Sequence, residues 1–167
     1  MGNPLYLSID RRHYLYIKLG DCMAASVADI AEFLEKVPLF KDLNGRQINR
    51  IAKRIRERDY EAGDVIVEQG QPGIGLYIMV RGEAKVIRKL LDGTERELDR
   101  LTRTDFFGEL SLLDEAPRTA SIIAEDAVKC LVLLNLDFME ELQAEPDIAI
   151  EMLKELARRY RRVMTRI

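Results

Sequence analysis

The apolar positions change period twice along the chain, and the changes divide it into helix, strand and helix. Val27, Ile30, Ala31 and Leu34 recur at helical spacing. Ser26 stands before them as a capping residue and Asp29 falls in the first turn. Pro38 is expected to end this helix, with Leu39-Phe40 as one apolar turn after it. A second helix is expected from roughly Asn44 to Arg58, with Ile48, Ile51, Ala52 and Ile55 turned inward. Its other face carries Arg46, Arg50, Lys53, Arg54, Arg56 and Arg58 and reads as a solvated basic face.

From Asp59 the period falls to two. Strands are expected at Tyr60, Val65–Val67, Leu76–Val80, Ala84–Arg88, Arg96–Leu101, Thr119–Ala124 and Val128–Leu134. Turn signals separate them: Ala62-Gly63-Asp64, Gln69-Gly70, Pro72-Gly73, Arg81-Gly82 and Asp92-Gly93, the last a strong hairpin signal. Many short strands with spaced glycines predict a sandwich or jelly-roll barrel. Helix then returns. Asn135 is expected to cap a short helix, Leu136–Ala144, and Pro146 to break it before a longer one from about Asp147 to Arg166. Ile148, Ala149, Met152, Leu153, Leu156, Tyr160, Val163 and Ile167 form its apolar stripe. The stripe is wide enough for the barrel and a partner, either a second copy of the chain or another protein.

The fold class is therefore mainly β with flanking helices: a jelly-roll β-barrel with N-terminal helices, a short helix inside the barrel sequence and C-terminal helices. Residues 27–167 form the domain. Residues 1–26 precede it as an extension whose pattern fits either two short strands (Leu5, Leu7, Ile9; Leu15, Ile17, Leu19) or a loosely held tail. Met23, just before the first helix, is an alternative start.

Composition narrows the chemistry. With 167 residues, 47% apolar residues and a net charge of −3, the chain has enough for one cored domain and gives no whole-chain argument for nucleic acid or anionic membrane. No apolar run approaches the length of a membrane span. Two distant cysteines, Cys22 and Cys130, make neither a disulfide framework nor a metal cluster, so a reduced, cytoplasmic setting is expected. His13 is the only histidine. There is no nucleophile elbow, P-loop or acid–base set, so no enzyme activity, cofactor or metal is expected. Arg158, Arg159, Arg161, Arg162 and Arg166 make a basic end, which helix C-termini favour in any case.

The stretch from Phe106 to Ser121 carries the chemistry. An apolar pair ends a strand, Gly108 turns the backbone, and Glu109-Leu110 open one helical turn. Strand, Gly turn and helix start is an arrangement that aims backbone N–H groups at an anion. Arg118 arrives nine residues after Glu109, followed by Thr119 and Ala120. These residues predict a pocket for a small anionic ligand that also carries hydroxyls.

The chain from about 33 to 165 resembles the cyclic-nucleotide-binding domains of catabolite activator protein, protein kinase regulatory subunits and cyclic-nucleotide-gated channels. Pro38-Leu39-Phe40, Ala62-Gly63-Asp64 with Glu68-Gln69-Gly70, Arg81-Gly82-Glu83, and above all Phe106-Phe107-Gly108-Glu109-Leu110 through Pro117-Arg118-Thr119-Ala120 carry the resemblance. Thr104 departs from it, standing where many members have a Gly before the Asp. The resemblance implies a cyclic nucleotide as ligand, cyclic AMP slightly ahead of cyclic GMP. Arg118 would fork the phosphate, and Glu109 would accept the ribose 2′-hydroxyl while pairing with Arg118. Backbone N–H groups at Gly108, Glu109, Leu110, Thr119 and Ala120 would add donors. Val86 and Leu101 are the base-wall candidates, and Leu156, Arg159 and Tyr160 of the last helix the lid candidates. The role implied is a regulatory sensor that moves its C-terminal helix. Because the sequence stops at Ile167, no DNA-binding helix-turn-helix is expected after that helix. The competing reading is a ligand-free interaction or dimerisation module on the same fold.

Overall fold

The computed structural model describes residues 25–165. The alternation expected between Leu5 and Leu19, together with His13, Cys22, Arg166 and Ile167, lies outside them. Two helices come first, α1 (Val27–Leu34) and α2 (Gly45–Ala52), each opened by a capping box: Ser26 with Asp29, and Asn44 with Gln47. The strands follow as β1 (Arg56–Tyr60), β2 (Val65–Val67), β3 (Gly75–Arg81), β4 (Ala84–Lys89), β5 (Glu95–Leu101) and β6 (Phe106–Phe107). The short helix α3 (Glu109–Asp114) precedes β7 (Ser121–Ala124) and β8 (Val128–Leu134), and α4 (Asn135–Ala144) and α5 (Pro146–Met164) close the described chain.

The strands form two four-stranded antiparallel sheets, β1-β8-β3-β6 and β2-β7-β4-β5. With the flanking helices they make the expected jelly roll. Strands β3 and β8 are covered on both faces, which explains their long apolar runs, interrupted within β8 only at Lys129. Leu76, Ile78, Leu131 and Leu133 face the helices, in one core with Phe40, Ile48, Phe138 and Ile148. Tyr77, Met79, Cys130 and Val132 face the barrel interior with Ile122 and Leu101. The pair at β6 divides the same way: Phe106 joins the helical core and Phe107 the barrel core. Strand β5, at a sheet edge, is exposed except at Leu101.

Four local expectations are corrected. The first helix ends at Leu34, before Pro38, in successive tight turns through Val37 and Phe40. The second stops at Ala52, not Arg58, because Arg56–Tyr60 pairs along β8 from Arg56↔Val132 to Tyr60↔Val128. Its run Arg-Glu-Arg-Asp carries charge at every position, so no apolar period marked the strand. The basic face expected on the second helix is not simply solvated. Arg50 and Arg54 each donate to the buried Glu141 carboxylate of α4 at 2.7 Å, and Arg54 also reaches Asp137 and Glu140. Asn135 does not cap α4; its N–H donates to the Ile74 carbonyl and β8 runs directly into the helix.

The loop between β4 and β5 is the expected hairpin turn, with Gly93 at φ +85° and Asp92 Oδ1 accepting from the Thr94 N–H. Pro146, which lacks the N–H that a first helical turn leaves unpaired, opens α5. Among the described residues, no helix is long and apolar enough to cross a membrane.

Candidate functional site

The site is built around a guanidinium buried in the barrel wall. Arg118 is 5% exposed. Its backbone is pinned to the loop before β3, where its N–H donates to the Gln71 carbonyl and its carbonyl accepts from the Gly70 N–H. Its Nη2 donates to the Gly75 carbonyl at 2.8 Å. The guanidinium lies 5.7 Å from the centroid of the Tyr77 ring, which stacks on Phe107 with centroids 5.1 Å apart. Its Nη1, fully buried, has no partner. Burial pushes the guanidinium below its ordinary pKa, while Tyr77 and Glu109 pull it back up. A buried donor left unpaired costs stability, and at a binding site it marks the place a ligand fills.

Gly108 makes room for that group. It sits in the left-handed region at φ +91°, and a Cβ there would collide with Arg118 Nη1 and stand 2.8 Å from the Gly75 carbonyl. Only glycine satisfies both the backbone and the space. The chain then enters α3, whose first N–H groups, beginning with Glu109 and Leu110, lack intrahelical acceptors.

Glu109 is buried, and here the expected pairing is corrected. Its carboxylate forms its ion pair with Arg159 of α5, 3.1 Å away, rather than with Arg118. Arg118 is turned away toward the Gly75 carbonyl. Arg159 also donates to the Phe106 carbonyl at 3.1 Å and lies over the Phe106 ring. One side chain of the last helix thus holds both ends of the Gly108 turn.

These residues face one open cavity of about 160 Å³. The structure brings Gly108, Glu109, Leu110, Arg118, Thr119, Ala120, Val86, Leu101 and Arg159 together around it. Val86 and Leu101 are near neighbours because Ala84 pairs with Leu101 and Val86 with Asp99 in the β4–β5 register. The other two lid candidates lie elsewhere. Leu156 lines a separate apolar cavity with Leu76, Phe138 and Met152. Tyr160 is 65% exposed, one residue and so about 100° around the helix from Arg159.

Sequence reasoning missed Val67, Asp99, Phe107, Ser111 and Ile122 in the same wall. Asp99 had a signal: two residues before Leu101 on one strand, it points to the same face. The Tyr77 platform beneath Arg118 had none, since it depends on pairing of Tyr77 with Phe107 across strands.

The basic end of α5 is also partly spent internally. Arg158 and Arg162 both pair with the buried Glu155, and Arg158 reaches Asp42 in the turn before α2. Together with Arg159, they fix α5 to both the helical cap and the cavity.

The family model described as "Cyclic nucleotide-binding domain" matches residues 57–145. A cAMP-dependent protein kinase regulatory subunit from Aspergillus fumigatus is 41% identical over 116 residues, covering 70% of this chain and 27% of its own. A CRP-like cAMP-activated global transcriptional regulator from Mycobacterium tuberculosis is 33% identical over 132 residues, covering 78% and 58%. Among solved structures, the regulatory domain of Toxoplasma gondii PKA with cAMP superposes with a TM-score of 0.68 at 25% identity, covering 77% of this chain and 50% of that one. The chain therefore spans between about a quarter and three-fifths of the length of these curated relatives. With a family model covering more than half of its residues, the chain belongs to the cyclic nucleotide-binding domain family.

Proposed function

We propose that this chain binds a cyclic nucleotide, cyclic AMP ahead of cyclic GMP, and converts binding into movement of α5. The observation that carries the reading is the unpaired, buried Nη1 of Arg118 behind the Gly108 turn. A cyclic phosphate supplies the charge and the acceptor oxygens that this group lacks, and the planar guanidinium suits two of them. Free N–H groups at the start of α3 add donors. Glu109 accepts the ribose 2′-hydroxyl, and the purine lies against Val86 and Leu101. The relatives described by their cyclic AMP dependence support placing that nucleotide first.

The route to α5 runs through Glu109. Its ion pair with Arg159 and the Arg159 bond to the Phe106 carbonyl tie the helix to the residues flanking Gly108. A ligand that bonds Glu109 and draws in this turn shifts the balance between helix positions by its difference in affinity for them. Ile150, Leu153 and Tyr160 leave apolar side chains outward on α5 for a protein partner, in a cytoplasmic setting, to read.

Calorimetric titration with cyclic AMP and cyclic GMP, with NMR observation of the α5 amides, tests this. Saturable binding at one site per chain with shifts along α5 is expected. No heat with either nucleotide overturns the reading, and binding without any change in α5 overturns the coupling.

A further inference from the structure

Resting on the reading of this cavity as a nucleotide site, we infer that Tyr77 is the positioning residue for Arg118: the face of its ring holds the guanidinium in the pose that meets a phosphate. Tyr77 lies in the barrel core and is not part of the cavity lining, so it acts through the arginine. Its effect is to keep Arg118 from turning onto Glu109.

The guanidinium needs such a hold. Its Nη2 donates to the Gly75 carbonyl, and among the described residues no carboxylate forms an ion pair with it. Backbone confines it elsewhere: a Cβ at Gly73 would stand 3.3 Å from its Cζ, and one at Gly108 would stand 3.0 Å away. Glu109 shares the cavity with Arg118 and attracts it, but that carboxylate is committed to Arg159. If Arg118 turned onto Glu109, the groups proposed for phosphate and ribose would occupy each other. A ligand would then have to separate them first, at a cost in affinity.

Tyr77 is built to supply the hold. It sits on β3, which is paired on both sides, with Val132 of β8 and Phe107 of β6. Its ring stacks on Phe107 with the planes 9° apart, so the direction of its face is fixed. That face carries the negative part of the ring quadrupole and attracts a cation within about 6 Å of the centroid. Arg118 Cζ lies 5.7 Å from it, in a buried place where the attraction is weakly screened. Phe107 directly precedes Gly108, so one cross-strand pair carries both the arginine's platform and the glycine turn.

The test varies the charge on the ring face while keeping its shape. The full chain is prepared as Tyr77→Phe and with increasingly fluorinated phenylalanines at position 77, which weaken the negative face with little change in volume. Calorimetry measures cyclic AMP affinity, and thermal unfolding confirms that each variant is folded. Tyr77→Phe is expected to bind within about threefold of unmodified protein, and affinity should then fall stepwise with each fluorine, by about tenfold overall. With Arg118→Met in the same chain the series should be flat. Val132→Ala, a packing loss beside Tyr77 in the same core, should lower the unfolding midpoint and change affinity by no more than about twofold. In unmodified protein the Arg118 guanidinium proton resonances should be shifted upfield by the ring. A flat series, the same slope with Arg118→Met, a tenfold loss in Tyr77→Phe or Val132→Ala, or unshifted Arg118 resonances each overturns the inference and leaves the cavity assignment standing. No binding of cyclic AMP or cyclic GMP by unmodified protein overturns the cavity assignment itself.

Discussion

The Glu109 carboxylate and the Arg159 guanidinium, fifty residues apart in the chain, meet at 3.1 Å in the lining of the cavity. Glu109 lies at the start of α3 and Arg159 near the end of the described chain, so the pair joins the candidate site to the element proposed to move. Glu109 is nearly covered while Arg159 is about one-third exposed, which moderates the strength of the pair. A double-mutant cycle of Glu109→Gln and Arg159→Gln, followed by urea unfolding without nucleotide, should give a coupling of about 1 kcal/mol. With nucleotide, Glu109→Gln should narrow the preference for cyclic AMP over its 2′-deoxy analogue. An unchanged ratio would mean that Glu109 does not hold the ribose.

Arg118 should trade stability for binding. Its guanidinium is buried with Nη1 unpaired, and burial lowers its pKa. A folded-state pKa below the ordinary value means that the fold penalises the charged form. Arg118→Met keeps most of the side-chain volume and removes the charge. Removing a charge that lacks a carboxylate partner spares its desolvation cost. The midpoint of thermal unfolding without nucleotide should therefore hold or rise. Affinity for cyclic AMP should fall about a hundredfold, as expected for loss of roughly 2–3 kcal/mol of charge-assisted bonding. A large loss of thermal stability in the free protein would identify Arg118 as a structural residue.

The parts of this molecule that repeat a local rule were legible in the sequence. Val128–Leu134 was read with its observed bounds because both its faces are buried and every position but Lys129 is apolar. The Asp92-Gly93 turn was legible because its geometry depends on two adjacent residues. Gly108, Glu109 and Arg118 were legible as a set because they lie within eleven residues. What depended on distant pairing was not. Arg56–Tyr60 is a strand only because β8 lies beside it. Glu109 was assigned to Arg118, nine residues further on, whereas the fold delivers Arg159 to it. Arg50 and Arg54 looked solvated because their acidic partners lie more than eighty residues further on.

Those arginines give a third prediction. Glu141 is 3% exposed and accepts from both Arg50 and Arg54, which join α2 and the turn after it to α4. Both guanidinium groups are held above their ordinary pKa by these carboxylates, with Glu141 the leading cause for Arg50 and Asp137 for Arg54. Glu141→Gln removes the buried charge while keeping the shape, leaving two cations crowded without their shared anion. Thermal unfolding should drop by several degrees. Arg46→Ala, removing an exposed arginine from the same cluster, should shift it by no more than about a degree. Equal effects from the two substitutions would place the network on the surface energetically.

Thr104 supplies the last prediction. It has φ +73°, in the left-handed region that a β-branched residue rarely adopts. The position is held from both sides: Thr104 N–H donates to the Met79 carbonyl, and Met79 N–H donates to the Asp105 carbonyl. Asp105 also accepts from the N–H and hydroxyl of Thr102, closing the turn. The backbone here is dictated by the β3 pairing that sets up β6 and the Gly108 turn. Thr104→Gly should relieve roughly 1–3 kcal/mol of strain and lose about 1 kcal/mol to the greater freedom of the unfolded chain. The net gain should be about 1 kcal/mol, seen as a higher urea midpoint with an unchanged slope. Thr104→Ala, which keeps a Cβ at the same φ, should recover little of it. A destabilised glycine variant would show that the threonine side chain makes up for its backbone.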